Sequence, residues 1–140
     1  MDTPQQQEAL PRGSETVLLV EDEEGVRTLS VHVLENCGFT VLEARDGVEA
    51  LRVAGQHHGR IDLLVTDVVM PRMGGRKVAE HLVTVHPDVK VLYVSGYTDD
   101  TVVRHGILEG QVAFLQKPFS PASLVLTVRK VLDKKSEGKP

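Results

Sequence analysis

Short apolar runs alternate with segments of helical periodicity along most of the chain. Runs rich in β-branched and aliphatic residues predict strands, and apolar residues spaced three or four apart predict helices with one buried face. The expected strands are Thr16–Val20, Thr40–Ala44, Ile61–Thr66, Lys90–Ser95 and Ala113–Gln116. The expected helices are Glu23–Asn36, a helix starting at Asp46-Gly47, Gly75–His86, Asp99–Leu108 and a last helix reaching about Lys134.

Two of these helices carry clear end signals. Pro87 should stop the third helix, because a proline disfavours helical geometry in the residue before it. Ser120 should cap the last helix, with Pro121 at the first helical position. The third helix should turn four apolar side chains towards the core: Val78, Ala79, Leu82 and Val83.

Five strands that alternate with five helices predict an α/β domain built on a parallel sheet. Right-handed crossovers favour a doubly wound, flavodoxin-like sandwich of three layers, with helices on both faces of a five-stranded sheet. We expect one domain over residues 16–134, preceded by a flexible arm or linker over residues 1–15. Residues 135–140 should form a frayed tail.

The overall composition excludes several classes of protein. Its 140 residues are 41% hydrophobic and 26% charged, which is typical of an ordinary globular domain. A net charge of −4 argues against a nucleic-acid-binding surface. With a single cysteine, no membrane-length apolar stretch and no signal-peptide pattern, we expect a cytoplasmic protein whose domain makes no membrane contact.

Polar residues stand where four of the expected strands end. They are Glu21 and Asp22 after the first strand, Asp67 after the third, Ser95 at the end of the fourth and Lys117 after the fifth. In open α/β sheets ligands bind beyond the carboxyl ends of the strands, so these side chains should share one cleft. Three carboxylates favour a hard cation such as Mg²⁺ or Mn²⁺, and an amine and a hydroxyl suit phosphoryl oxygens. One carboxylate could then act as a nucleophile and form an acyl phosphate.

Each residue also has a simpler interpretation when taken alone. Asp67 could cap a strand end, and Glu21-Asp22 could simply open a helix, where acids are favoured. Ser95 could be a turn residue and Lys117 a solvated lysine. Core packing explains Phe114 as well as a functional role does.

Four segments together resemble the receiver domains of two-component response regulators. They are Val20-Glu21-Asp22-Glu23, Thr66-Asp67-Val68-Val69-Met70-Pro71, Val94-Ser95-Gly96 and Leu115-Gln116-Lys117-Pro118-Phe119. The resemblance covers about residues 15–135, in order and with suitable spacing. One departure from the common pattern is a Phe instead of the frequent Tyr at position 114.

The resemblance implies a role for each of these positions. Asp67 would be the phosphoacceptor, Lys117 would pair with Asp67 and then with the phosphoryl oxygens, and Ser95 would follow the phosphoryl group. Phe114 would be the aromatic switch residue. The metal ligands would be Asp22, Asp67, the backbone carbonyl of Val69 and, through water, Glu21.

The implied function is a phosphorylation switch, not a turnover enzyme. The partner would be a histidine kinase or a histidine phosphotransfer domain, and the output a protein contact, with no nucleic acid bound. A homodimer could form through the face made by Asp99–Leu108, the fifth strand and the last helix. Gly13–Thr16, among other segments, looks more like the receiver of a hybrid histidine kinase than that of a transcription factor.

Three alternatives remain open at this point. The first is a free-standing single-domain regulator. The second is a phosphatase of the haloacid-dehalogenase type, which would want an acid where this chain has Val69. The third is a degenerate receiver that serves only for docking.

Overall fold

The centre of the domain is one sheet of five parallel strands. The structure, a computed structural model, describes residues 10–96 and 113–134. Its strands are β1 (Thr16–Val20), β2 (Thr40–Ala44), β3 (Leu63–Asp67), β4 (Lys90–Ser95) and β5 (Ala113–Gln116). They lie in the order β2-β1-β3-β4-β5, and every neighbouring pair is parallel. The expected doubly wound α/β fold is confirmed.

Four helices lie within the described residues, of which three connect successive strands and the fourth follows β5. They are α1 (Glu24–Asn36), α2 (Gly47–Gln56), α3 (Gly75–Val85) and α4 (Pro121–Asp133). Ser120 caps α4 as expected, because its side chain accepts a hydrogen bond from the Ser123 amide. The helix expected at Asp99–Leu108 lies outside the described residues, as does the expected tail at 135–140. None of the described helices has both the length and the hydrophobicity needed to cross a bilayer.

The helices form the outer layers of a three-layer sandwich. Alternate residues of the strands belong to two core clusters on opposite faces of the sheet, because successive side chains of a strand point to opposite sides. One cluster joins the sheet to α2 and α3 through residues such as Leu18, Ala50 and Leu82. The other joins it to α1 and α4 through residues such as Leu34 and Leu124.

The third strand and the third helix differ in detail from the sequence-based expectation. The strand runs from Leu63 to Asp67 instead of Ile61–Thr66. Ile61 is fully buried without belonging to the strand, so its hydrophobicity gave a misleading boundary. Val83 was wrongly expected to face the core and is 41% exposed. It follows Leu82, which is buried, and one residue turns a helix by about 100°.

Residues 10–15, which we expected to belong to a flexible arm, lie against the domain in this structure. Leu10 packs against the cluster under α1 and α4, and the Gly13 amide donates to the Cys37 carbonyl at 3.0 Å. Arg129 of α4 binds the Glu15 carboxylate at 2.6 Å. The proposed boundaries at residues 15 and 134 stay predictions.

Gly75 ties the start of α3 to the end of β3. Its amide donates to the Val68 carbonyl at 2.9 Å, and it is buried. A Cβ at this position would lie 2.1 Å from the Asp67 carbonyl oxygen. Only glycine therefore allows the helix to begin so close to the strand that ends in Asp67.

We predict that Gly75→Ala destabilises the domain by about 1–3 kcal/mol, the usual cost of overpacking a tight site. Gly55→Ala in α2 is a matched control, because nothing lies within 4 Å of the added methyl group. That change should instead stabilise the protein by up to about 1 kcal/mol through helix propensity. Urea unfolding measures the change in the free energy of unfolding for each variant, and equal changes for the two substitutions would contradict this account.

Candidate functional site

The carboxyl ends of four strands meet at one edge of the sheet and bring the expected polar residues together. Glu21 directly follows β1, Asp67 and Ser95 end β3 and β4, and Lys117 directly follows β5. The backbone fixes this alignment, since Asp67 lies in register with Val94 of the neighbouring strand. The Lys117 amide also donates to the Ser95 carbonyl at 2.8 Å.

Lys117 is the positive centre of the cleft. Its Nζ lies 3.0 Å from Glu21 Oε1, 3.2 Å from Asp67 Oδ1 and 3.1 Å from Glu23 Oε1. Burial acts to lower the pKa of Lys117, but the ion pairs with Glu21, Asp67 and Glu23 outweigh it and raise that pKa. The amine therefore stays charged at neutral pH.

Asp67 is a buried carboxylate with little to stabilise its charge. It is 5% exposed, and neither of its carboxylate oxygens has a hydrogen-bond partner among residues 10–96 and 113–134. Lys117 Nζ is near Oδ1 but does not form a well-directed hydrogen bond with it. Burial, followed by the neighbouring carboxylates of Glu21 and Asp22, raises the pKa of Asp67 to about 9. Such a group has the strained electrostatics that are common at functional sites.

The three acids fit a divalent cation. Glu21, Asp22 and Asp67 each offer a carboxylate oxygen, and these atoms all lie within 4.8 Å of one another. Glu21 and Asp67 are buried, whereas Asp22 is exposed. An all-oxygen donor set with one open side suits Mg²⁺, which keeps several waters and takes only a few carboxylates. A cation bound among these acids would neutralise the unsatisfied oxygens of Asp67.

The sequence matches a known family model, and the fold matches several solved structures. The model of the response regulator receiver domain matches residues 17–129. The chain belongs to the response regulator receiver family. Receiver domains are signalling domains of two-component systems, and the fold of this chain is that of such a domain.

Two curated relatives differ in how much of their length this chain matches. The chain is 46% identical over 122 residues to the sensor kinase CckA of Brucella abortus, covering 87% of this chain and 13% of the relative. It is 29% identical over 116 residues to the receiver protein CpdR of the same organism, covering 83% of this chain and 95% of CpdR. The chain thus corresponds to a small part of one relative and to nearly all of the other.

Solved receivers share the fold closely. The chemotaxis protein CheY4 of Vibrio cholerae superimposes with a TM-score of 0.73 at 30% identity, covering 85% of this chain and 99% of that one. A receiver protein from Sinorhizobium medicae gives a TM-score of 0.73 at 26% identity, covering 86% and 95%. These neighbours are CheY-type folds of the flavodoxin-like class.

The remaining residues expected in a receiver site have the following positions. Ser95 is buried, and its hydroxyl donates to the Gly96 carbonyl at 3.2 Å. Phe114 is partly buried and packs against the core cluster under α2 and α3. The side chain of Val69 is 52% exposed, two residues beyond Asp67. Their roles in switching and metal binding stay predictions.

Glu23 is a member of the cleft that sequence reasoning did not identify. Its carboxylate contacts Lys117, although its side chain is 64% exposed. The only available signal was its place one residue after the acid pair, where an acid is equally expected at a helix start. Glu23 is the N-cap residue of α1, and its amide donates to Glu21 Oε2 at 2.9 Å.

The raised pKa of Asp67 predicts how stability depends on pH. In the folded protein without a bound cation the pKa of Asp67 is about 9, whereas the ordinary pKa of an aspartate side chain is 3.8. The folded state therefore binds the proton more tightly than the unfolded chain, and this group makes stability fall as pH rises from about 4 to about 9. Asp67→Asn removes this ionisable group and with it the loss of stability at high pH. The substitution should therefore raise the Tm more at pH 8 than at pH 5.

Thermal unfolding without divalent cations measures this difference, and about 1 kcal/mol corresponds to roughly 3–6 °C in a domain of this size. Asp88→Asn is the control, because Asp88 is an exposed acid just before β4, at the opposite edge of the sheet. It should show no pH-dependent gain. A Tm gain for Asp67→Asn that is the same at both pH values would refute the raised pKa.

Proposed function

We propose that this domain is a phosphorylation switch in which Asp67 accepts a phosphoryl group from a phosphohistidine on a partner protein. The observation that carries the proposal is the buried Asp67 carboxylate, whose oxygens lack hydrogen bonds within the described residues and which faces Lys117 and two further acids. A structural carboxylate would have its hydrogen bonds satisfied. A phosphoacceptor needs its oxygen free to attack.

The chemistry is a displacement at phosphorus. An Asp67 oxygen forms a bond to phosphorus while the bond from phosphorus to the histidine nitrogen breaks, and the imidazole leaves with the electron pair. Acetyl phosphate can replace the histidine donor, with acetate as the leaving group. Lys117, already 3.2 Å from Asp67, would follow the phosphoryl oxygens, and the Ser95 hydroxyl would donate to one of them.

Glu21, Asp22 and Asp67 would hold Mg²⁺ or Mn²⁺, with the Val69 carbonyl as a further ligand and Glu21 acting through water. When bound, the cation supplies positive charge that lowers the pKa of Asp67 and neutralises the phosphoryl oxygens. Glu23 would keep Lys117 positioned over the cleft before the donor arrives.

Phosphorylation would change the surface that partners read. It replaces the single charge of Asp67 with roughly two, next to Lys117. Movement of Ser95 towards the new oxygens would open space for Phe114, on the neighbouring strand. A shift from 1:99 to 99:1 needs about 5.5 kcal/mol. A few charge-assisted hydrogen bonds of about 1.5–3 kcal/mol each are sufficient.

We infer that the parent protein is a hybrid histidine kinase. Support comes from the 46% identity to the CckA sensor kinase, compared with 31% to the transcriptional regulatory protein CreB of Escherichia coli. A free-standing regulator is the alternative, and CpdR is similar over almost its whole length. In both cases the domain would receive its phosphoryl group from a histidine kinase or phosphotransfer domain.

Incubation with acetyl phosphate and Mg²⁺ should add the mass of one phosphoryl group to the intact protein. Hydroxylamine at neutral pH should remove it, because it cleaves acyl phosphates. Asp67→Asn should give no adduct, whereas Asp88→Asn should react like the wild type. Omission of Mg²⁺ or the change Asp22→Asn should slow the reaction by at least about tenfold, as expected for loss of a cation that stabilises the transition state.

Two results would contradict the proposal. One is the absence of an adduct on the wild-type protein, and the other is an unchanged adduct on Asp67→Asn. The phosphatase alternative would instead release inorganic phosphate continuously without accumulating an adduct.

A further inference from the structure

An ion pair joins the loop between β3 and α3, residues 68–74, to the start of α2. Arg72 has a φ of +71°, in the left-handed region that residues other than glycine rarely adopt. Its guanidinium donates to the carboxylate of Asp46. Asp46 is the N-cap residue of α2 and also accepts a hydrogen bond from the Glu49 amide at 2.8 Å.

A close backbone approach reinforces this ion pair. Gly47, the first residue of α2, is so near the loop that a Cβ would lie 2.7 Å from Met73 Cβ and 2.8 Å from the Met73 carbonyl oxygen. The ends of the loop are also fixed, because the Val68 amide donates to the Val94 carbonyl and the Gly75 amide to the Val68 carbonyl. The loop is thus fixed at both ends and braced in the middle.

An exposed ion pair alone would be weak support for a positioning role, since most exposed ion pairs contribute almost nothing to stability. This pair differs in two respects. The Asp46 side chain is only 10% exposed, and the pKa of Asp46 is lowered by the Glu49 amide and by Arg72, so it stays charged. In addition, Arg72 has a costly backbone conformation, which persists only where the surroundings impose it and which tends to occur next to functional sites.

We propose that Arg72 is a positioning residue of the phosphorylation site. Its ion pair with Asp46 holds residues 68–74 in one conformation, and these residues include Val69, whose carbonyl is the further cation ligand of the proposed function. Among the described residues the polar partner of Arg72 is Asp46 and not Asp67, so Arg72 acts through the loop. The inference rests on the function proposed above and deepens it, because it assigns the preorganisation of the cation site to a contact between two loops.

Arg72→Gly separates positioning from folding. Glycine adopts a positive φ without strain, so the variant loses the ion pair but not the ability to form the loop. It should bind Mg²⁺ about tenfold more weakly, at the low end for groups that support metal ligands indirectly. Its Tm without divalent cations should be equal to or higher than that of the wild type. Isothermal calorimetry gives the affinity, and the acetyl phosphate rate should recover at saturating Mg²⁺.

The sign of the effect excludes a simple charge explanation. Loss of a positive charge near an acidic cleft would strengthen cation binding, so weaker binding in Arg72→Gly points to the loop. Arg52→Ala is the matched control, because Arg52 is also an exposed arginine that pairs with an acid of α2, Glu49 at 3.2 Å. It should bind Mg²⁺ as tightly as the wild type.

Asp46→Asn provides the reciprocal test, since asparagine retains the N-cap acceptor and removes the charge. It should weaken Mg²⁺ binding in the wild-type background and have much less effect when combined with Arg72→Gly. Wild-type Mg²⁺ affinity in Arg72→Gly, or an equal loss in Arg52→Ala, would overturn the positioning role. A wild-type protein that binds no Mg²⁺ and forms no adduct would overturn the proposed function first, and this inference with it.

Discussion

The repulsion among three carboxylates around the buried end of β3 is the constraint on which the site depends. Asp67 lies in the core with its oxygens unsatisfied by the described residues, and Glu21 and Asp22 add negative charge within a few ångströms. Burial and then these neighbouring acids raise the pKa of Asp67 to about 9, because the Lys117 amine offsets only part of their effect. A cation or a phosphoryl group bound with a cation would resolve the conflict. The acidic cluster by itself is therefore electrostatically unfavourable.

The sheet makes this unfavourable cluster possible. Parallel register places the ends of β1, β3 and β4 and the residue after β5 at one edge, and apolar clusters on both faces hold the strands there. The short connections from the sheet add the finer positioning. Gly75 brings α3 against the Asp67 carbonyl, and Arg72 pairs with Asp46 across two loops. The stable core thus supports unfavourable local features at the carboxyl ends of the strands, namely the acidic cluster and the left-handed Arg72. Such features are common at functional sites.

Most of the fold and the positions of the main polar residues at the strand ends could be predicted because they depend on local pattern. Apolar runs that end in Glu21, Asp67, Ser95 and Lys117 place those residues at strand ends whatever the details of the loops. The contact of Glu23 with Lys117 and the ion pair of Arg72 with Asp46 could not be predicted, since they depend on loop conformation and on residues distant in sequence. Hydrophobicity alone also misplaced the start of β3, because Ile61 is buried without belonging to the strand. It misplaced Val83 as well, because that valine lies on the exposed side of α3.

The central claim is that the Asp67 proton and the cation compete for one carboxylate. Calorimetric titration with Mg²⁺ in two buffers of different ionisation enthalpy measures the protons released per ion bound. At about pH 7.5 the account predicts release of close to one proton per Mg²⁺, because Asp67 must ionise to bind it. Release should disappear in Asp67→Asn. Binding of Mg²⁺ to the wild-type protein without proton release would contradict the account.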